Sequence, residues 1–340
     1  MSLENRQPGF VSFTESELMA MADGKIEPSI LPEYLKQDKI EQAVQFQRDI
    51  LKKVGILNSQ GRFKVTYQDS RGIKQTREFS YPTPSEAVDY LANLDQDKKD
   101  KLTEILAKFE QDGGSQLLVL PTIPLSPDSQ VISALEGQMK KLFSQGKLFQ
   151  SDGKTKIDGS DSNRFDTASP TYIDSEVLRR AYRDPQNPNN FISQEQWATG
   201  SSGVLYAFVP KGILTPRQRD GQNPFHAFNA NKKFPQQLAD IAKTGNQDLL
   251  YLTFELCAYR QMLALFPEDN QPAMVLNNYS NPDDASTWVL GSTADESRID
   301  AERRFAGSFC WDRVYGQPGF YRSGTTNLNA SHGCVPASVN

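Results

Sequence analysis

Histidine and cysteine are scarce in this chain, with 2 His and 3 Cys among 340 residues. Three thiols are odd in number and too sparse for the disulfide framework that small secreted folds use in place of a core. The expected state is a reduced cytoplasmic protein, with leaderless secretion the remaining route outward. Long apolar runs are also lacking. No window approaches the ~20 apolar residues of a membrane span, and the most apolar stretch, residues 249–266, is broken by Glu255, Arg260 and Gln261. The opening Met1-Ser2-Leu3-Glu4-Asn5-Arg6 has no basic segment leading into an apolar one, so it does not read as a secretory leader. Neither sign of charge dominates. The 37 Lys+Arg and 42 Asp+Glu leave a net charge of -5, which gives no overall pull towards nucleic acid or an anionic membrane. There is no Gly-rich phosphate loop, nucleotide fingerprint, Gly-x-Ser-x-Gly elbow or His-Glu-x-x-His, so no cofactor is expected. The partner to expect is a small molecule or a protein, without nucleic acid or membrane.

What is present is a core. The hydrophobic fraction of 37%, including 19 Phe and 12 Tyr, suffices for a globular fold of one large domain or two ordinary ones. Residues 39–54 carry Ile40, Val44, Ile50, Leu51 and Val54 at helical spacing, and Gly55 ends the pattern. Residues 62–67 alternate polar and apolar, Ser70-Arg71-Gly72 turns the chain, and 73–81 return, which predicts a hairpin. After Pro82 and Pro84, Ser85 opens a helix, and residues 101–109 form another. The run 116–123 reads as a buried strand leading to Ser126-Pro127-Asp128, a cap for a helix over 131–143.

Residues 151–170, rich in Ser, Asp and Gly, are the expected linker or loop between a helix-rich part (1–150) and a mixed domain (171–340). In the second part, 203–209 is a strand, 234–242 a helix, and 248–266 a second helix apolar on most faces and hence buried. Residues 273–276 and 287–290 are further strands, and the Gly-, Asn- and Ser-rich tail beyond Gly316 reads as irregular. The fold class expected is α+β, a helix-rich N-terminal part followed by a mixed-sheet domain with a buried helix; the alternative is α/β.

One stretch concentrates chemistry. Ser331-His332-Gly333-Cys334-Val335 sets one of the two histidines beside one of the three cysteines. In an extended segment His332 and Cys334 share a face, and an imidazole beside a thiol favours the thiolate nucleophile. His226, in an aromatic-flanked loop, is a second base that could meet Cys334 in space. The first functional reading is therefore a cysteine-dependent hydrolase or acyl transferase centred on Cys334, with His332 or His226 as base. A non-enzymatic binding protein is the second, working through aromatics such as Phe225, Phe228, Tyr315, Phe320 and Tyr321. A structural zinc site of Cys310, His332 and Cys334 is the third, although the one-residue gap between His332 and Cys334 departs from usual ligand spacing. The default for the tail is a packed terminal turn, and for Cys257 a buried thiol.

Two resemblances attach to these residues. Ser331 to Val335 resembles the catalytic motif of the peptidoglycan L,D-transpeptidases, in which the cysteine accepts the acyl group. The chain departs from it in having no histidine between Arg313 and Ser331 and in placing Pro336 after Val335. Over residues 115–340, the order of Leu117-Leu118-Val119-Leu120-Pro121, the strand at 204–209, Leu263-Ala264-Leu265-Phe266-Pro267-Glu268, the run 288–292 and Cys310-Trp311 is similar to a bacterial cytosolic family known only as a domain of unknown function. That likeness implies one fold for Cys310-Trp311 and the tail, and implies no activity.

Overall fold

The computed structural model describes residues 36–110, 114–121, 130–149, 153–154, 156–157, 183–184, 187–191, 193–200, 203–210, 249–251, 254–268, 270–274, 287–288, 305–312, 317–324, 333–334 and 336–339. Over these residues the fold is α+β.

Helix α1 (Gln37–Lys53) follows from its stripe: Ile40, Val44, Ile50 and Leu51 are buried, and Gln47 is buried with them. Lys52 and Lys53 sit in its last turn, where the helix dipole favours cations, and Gly55 at φ +78° takes the left-handed conformation that ends it. Strands β1 (Arg62–Gln68) and β2 (Lys74–Ser80) form the predicted antiparallel hairpin, in register from Arg62–Ser80 to Gln68–Lys74. Phe63 faces Phe79 in that register, and their rings stack 5.7 Å apart.

Helix α2 (Pro84–Ala92) starts differently from expectation. Thr83, not Ser85, caps it: its hydroxyl accepts from the Glu86 N–H while Glu86 Oε2 accepts from the Thr83 N–H at 2.7 Å. Pro84 fits the first turn because an N–H there would have no partner anyway. Helix α3 (Gln96–Glu110) begins five residues before the apolar pattern does, because Asp95 Oδ1 accepts from the Lys98 N–H at 2.9 Å and supports a wholly polar first turn.

Strand β3 (Ser115–Pro121) is buried except at Gln116, which is half-buried. Helix α4 (Gln130–Ser144) buries Val131, Leu135, Met139 and Leu142, and its expected cap at 126–128 lies outside the described residues. Of residues 151–170, the described ones are tied to the body: Ile157 is buried, and its N–H donates to the Leu148 carbonyl in β4 (Leu148–Phe149). The rest of that stretch, including Asp158, Asp161 and Asp166, lies outside the described residues, as does the helix expected at 234–242.

Strands β5 (Arg183–Asp184) and β6 (Asn187–Phe191) pair with each other. Helix α5 (Gln194–Gly200) packs on the first hairpin, where Glu195 accepts from the Ser70 N–H and the Arg77 guanidinium donates to the Ala198 carbonyl. Strand β7 (Val204–Pro210) follows as expected.

Residues 248–266 are not one helix. They divide into β8 (Leu249–Tyr251) and α6 (Phe254–Ala264). An apolar run satisfies helical and extended periods alike, and pairing with another strand decides between them. The buried helix itself stands, with Tyr259 and Met262 fully covered.

Strands β9 (Ala273–Met274) and β10 (Thr287–Trp288) occupy the starts of their expected runs. The tail is a correction. Beyond β11 (Phe305–Asp312) its described residues form β12 (Gln317–Gly324), β13 (Gly333–Cys334) and β14 (Pro336–Val339), strands where an irregular tail was expected. Eight cross-strand pairs between β11 and β12 outweigh the poor strand propensity of Gly, Ser and Pro.

Two four-stranded sheets result, ordered β12-β11-β10-β13 and β3-β7-β14-β8. The second takes β3 from before residues 151–170 and its other strands from after them, so one sheet crosses the division expected there. A single core runs from Ile40 in α1 to Ala273 in β9.

Candidate functional site

The last strands put Cys334 at a junction. Strand β13 lies parallel to β10, with Gly333 opposite Thr287 and Cys334 opposite Trp288. Two residues later the chain joins the other sheet as β14, opposite β8, in register from Pro336–Tyr251 to Ser338–Leu249. Cys334 is therefore where the chain passes from one sheet to the other. Because β14 and β8 run antiparallel, β14 begins at the end where β8 finishes. From that end, three residues after Tyr251, α6 begins at Phe254. Pro336, two residues after Cys334, thus stands opposite Tyr251, three residues before an 11-residue helix.

The other two strands end there too. Ser115 pairs with Pro210 between β3 and β7. The Phe208–Ser338 and Ala207–Val339 register, continued two residues, brings Pro210 level with Pro336. Ser115, Pro210, Pro336 and Tyr251 form one row across the sheet. Ser115 is only 6% exposed, and its Oγ has no hydrogen-bond partner among the described residues.

The outer edge of β3 is held by side chains instead of a strand. Gln47 Nε2 donates to the Leu117 carbonyl at 2.9 Å, and Gln47 Oε1 accepts from the Val119 N–H at 2.8 Å. The Tyr81 hydroxyl donates to the Val119 carbonyl at 3.0 Å, and the Tyr259 hydroxyl donates to Gln47 Oε1 at 2.9 Å. In an antiparallel strand every second residue turns both backbone groups away from its partner. On β3 these are the groups of Leu117 and Val119, and a glutamine amide, one donor and one acceptor, matches their spacing. Burial pushes both phenols, Tyr81 and Tyr259, well above the usual tyrosine range. They stay neutral donors. Tyr206 of β7 is raised as well, first by burial and then by Tyr90 and Glu86, and its ring stacks on Tyr90 at 4.5 Å.

Of the residues singled out from sequence, Cys334 and Cys310 fall in described strands of one sheet; His332 and His226 lie outside the described residues. Cys310 is two residues along β11 from Ser308, which shares a register row with Trp288 and Cys334. Two strand spacings and two residues separate the cysteine Cα atoms, about 12 Å at ordinary sheet dimensions. Phe320 and Tyr321 stand in β12 opposite Phe309 and Ser308, while Phe225, Phe228 and Tyr315 lie outside the described residues. Among the described residues no three His, Cys, Asp or Glu could share a metal ion, and no helix is long and apolar enough to cross a membrane.

Sequence reasoning passed over Gln47, Tyr81, Tyr259 and Ser115. Gln47 had a signal: it lies three residues after Val44 and three before Ile50, on the apolar stripe of α1. No family model, curated protein or solved structure matches this chain.

Proposed function

We propose that this chain is a cysteine-dependent hydrolase or acyl transferase with Cys334 Sγ as nucleophile and His332 or His226 as base. The observation that supports the reading is the adjacency of His332 and Cys334 in the sequence, with Cys334 in β13 just before the chain enters β14 of the other sheet. The thiolate adds to the carbonyl carbon of an ester, thioester or amide. Collapse expels the leaving group, which takes its proton from the histidine imidazolium. Water or an amine then attacks the S-acyl carbonyl and gives its proton to the same imidazole. The C–S bond breaks, and the thiolate returns. A cytosolic setting, where thiols stay reduced, suits this chemistry. The zinc alternative has less support, because about 12 Å between Cys310 and Cys334 exceeds what two thiolates on one ion span at ~2.3 Å per Zn–S bond.

The test is acylation of the intact protein by p-nitrophenyl acetate, read by mass and peptide mapping. The reading predicts one acetyl group on Cys334, absent from Cys334→Ala. Label spread over lysines and unchanged in that variant contradicts it.

A further inference from the structure

We propose that the outer edge of β2 is a self-association surface, where a second copy of this chain pairs antiparallel about a two-fold axis at Thr76. The two hairpins then form one four-stranded sheet. The hairpin register decides which backbone groups face outward. The Tyr81 N–H donates to the Gly61 carbonyl and the Asp69 N–H to the Ile73 carbonyl, both in step with the Arg62–Ser80 register. Odd-numbered residues therefore bond across the hairpin, and Thr76, Glu78 and Ser80 of β2 turn N–H and C=O outward. On β1 such groups are covered. The Arg62 carbonyl accepts from the Asn58 N–H, the Arg62 N–H donates to Asn58 Oδ1, and the Gln130 amide donates to the Lys64 carbonyl. Among the described residues nothing does this for Thr76, Glu78 or Ser80, which are all exposed, and β2 pairs with β1 alone.

An open edge can template many strands, so side chains select the partner. A two-fold centre at Thr76 sets Lys74 opposite the partner's Glu78 and, by symmetry, Glu78 opposite the partner's Lys74. Lys64 already faces Glu78 within the hairpin, so charges alternate across the joined sheet from Lys64 to Glu78 to the partner's Lys74. Thr76 meets the partner's Thr76, beside the Thr66–Thr76 pair whose hydroxyls stand 3.4 Å apart. The neighbouring registers lack this match. A centre at Arg77, Glu78 or Lys74 sets like charges face to face, which is unfavourable. One at Gln75 sets Lys74 against Thr76 and Glu78 against Gly72, with no charge match. The Thr76 register also brings Ile73, an apolar side chain left 50% exposed, opposite the partner's Phe79. About six backbone hydrogen bonds make a small interface, so a dissociation constant of about 10–100 µM is expected.

The experiment is sedimentation velocity of the full chain over a concentration series bracketing that range. The proposal expects a monomer–dimer equilibrium that Thr76→Pro abolishes with the hairpin intact, because the lost N–H faces outward. Lys74→Glu and Glu78→Lys each set like charges opposite twice in their own dimers, and each should weaken self-association about tenfold. Mixing these two variants should restore a dimer of one copy of each, since all four charges then match. A monomer throughout the series, a dimer unchanged by Thr76→Pro, or no gain on mixing the charge variants overturns it. Circular dichroism checks that each variant folds; if Thr76→Pro does not, the charge variants decide the matter alone.

Discussion

The Tyr259 hydroxyl donates to Gln47 Oε1 at 2.9 Å, joining helices whose residues stand 212 positions apart in the chain. Between them they close the outer edge of β3. An unpaired edge inside a core would strand backbone groups that water cannot reach.

Gln47→Ala therefore removes partners from the Val119 N–H, the Leu117 carbonyl and the Tyr259 hydroxyl together. Each buried group left without a partner costs about 1–3 kcal/mol, so a loss of about 3–5 kcal/mol is expected. Tyr259→Phe removes one donor and costs about 1 kcal/mol. Urea unfolding measures both, and a Gln47→Ala loss below about 1 kcal/mol would show the edge to be held by other means.

Raising the pH tests the same network. Tyr81 and Tyr259 have folded-state values above the ordinary 10.0. Their contribution is complete below pH 10 and is lost as the pH climbs towards the raised values, because only the unfolded chain then ionises. Tyrosinate absorbance should rise in two stages, with the buried phenols ionising only as the far-UV signal collapses. A single smooth titration of all tyrosines with the fold intact would contradict their burial.

Asp69 gives the acid side. Its carboxylate accepts from the Ile73 N–H, the Gln75 amide and Arg71, which lower its pKa to about 2. With the folded value below the unfolded one, its contribution is present above pH 3.8 and disappears as the pH falls through about 2. Between pH 5 and pH 2 the wild type should lose more Tm than Asp69→Asn. Parallel losses in the two proteins would show that the turn does not hold the charge.

Gly203 is a confined backbone position beside the hairpin. It has φ +75°, and a Cβ there would meet the Phe79 ring at 2.3 Å. Gly203→Ala combines backbone strain with overpacking and is expected to cost about 2–4 kcal/mol. Pairing it with Phe79→Leu relieves the contact and should recover part of the loss, which a double-mutant cycle in urea would register as coupling. Additive losses would place the strain elsewhere.

What could be read from sequence was local. The β1–β2 hairpin was legible because Arg62-Phe63-Lys64-Val65 alternates cleanly and Gly72, at φ +76°, supplies its turn. The stripe of α1 was legible for the same kind of reason, and α3 was found only where its apolar residues begin. Leu249-Leu250-Tyr251 became a strand because β14 lies beside it, and that partner comes some 85 residues later. Likewise Gln317-Pro318-Gly319 joins a strand only through β11. At the candidate site, the local pairing of His332 with Cys334 was visible. The row of Ser115, Pro210, Pro336 and Tyr251 next to it was not, since it depends on the order β3-β7-β14-β8.

The proposed function makes Cys334 a thiolate nucleophile. The direct measurement is the rate of iodoacetamide alkylation at Cys334 against pH, followed by peptide mapping. The account predicts a half-maximal rate at least about one unit below the ~8.5 of a free cysteine, with Cys257 reacting only at higher pH. A midpoint at or above ~8.5, or equal reluctance of both thiols, would contradict it.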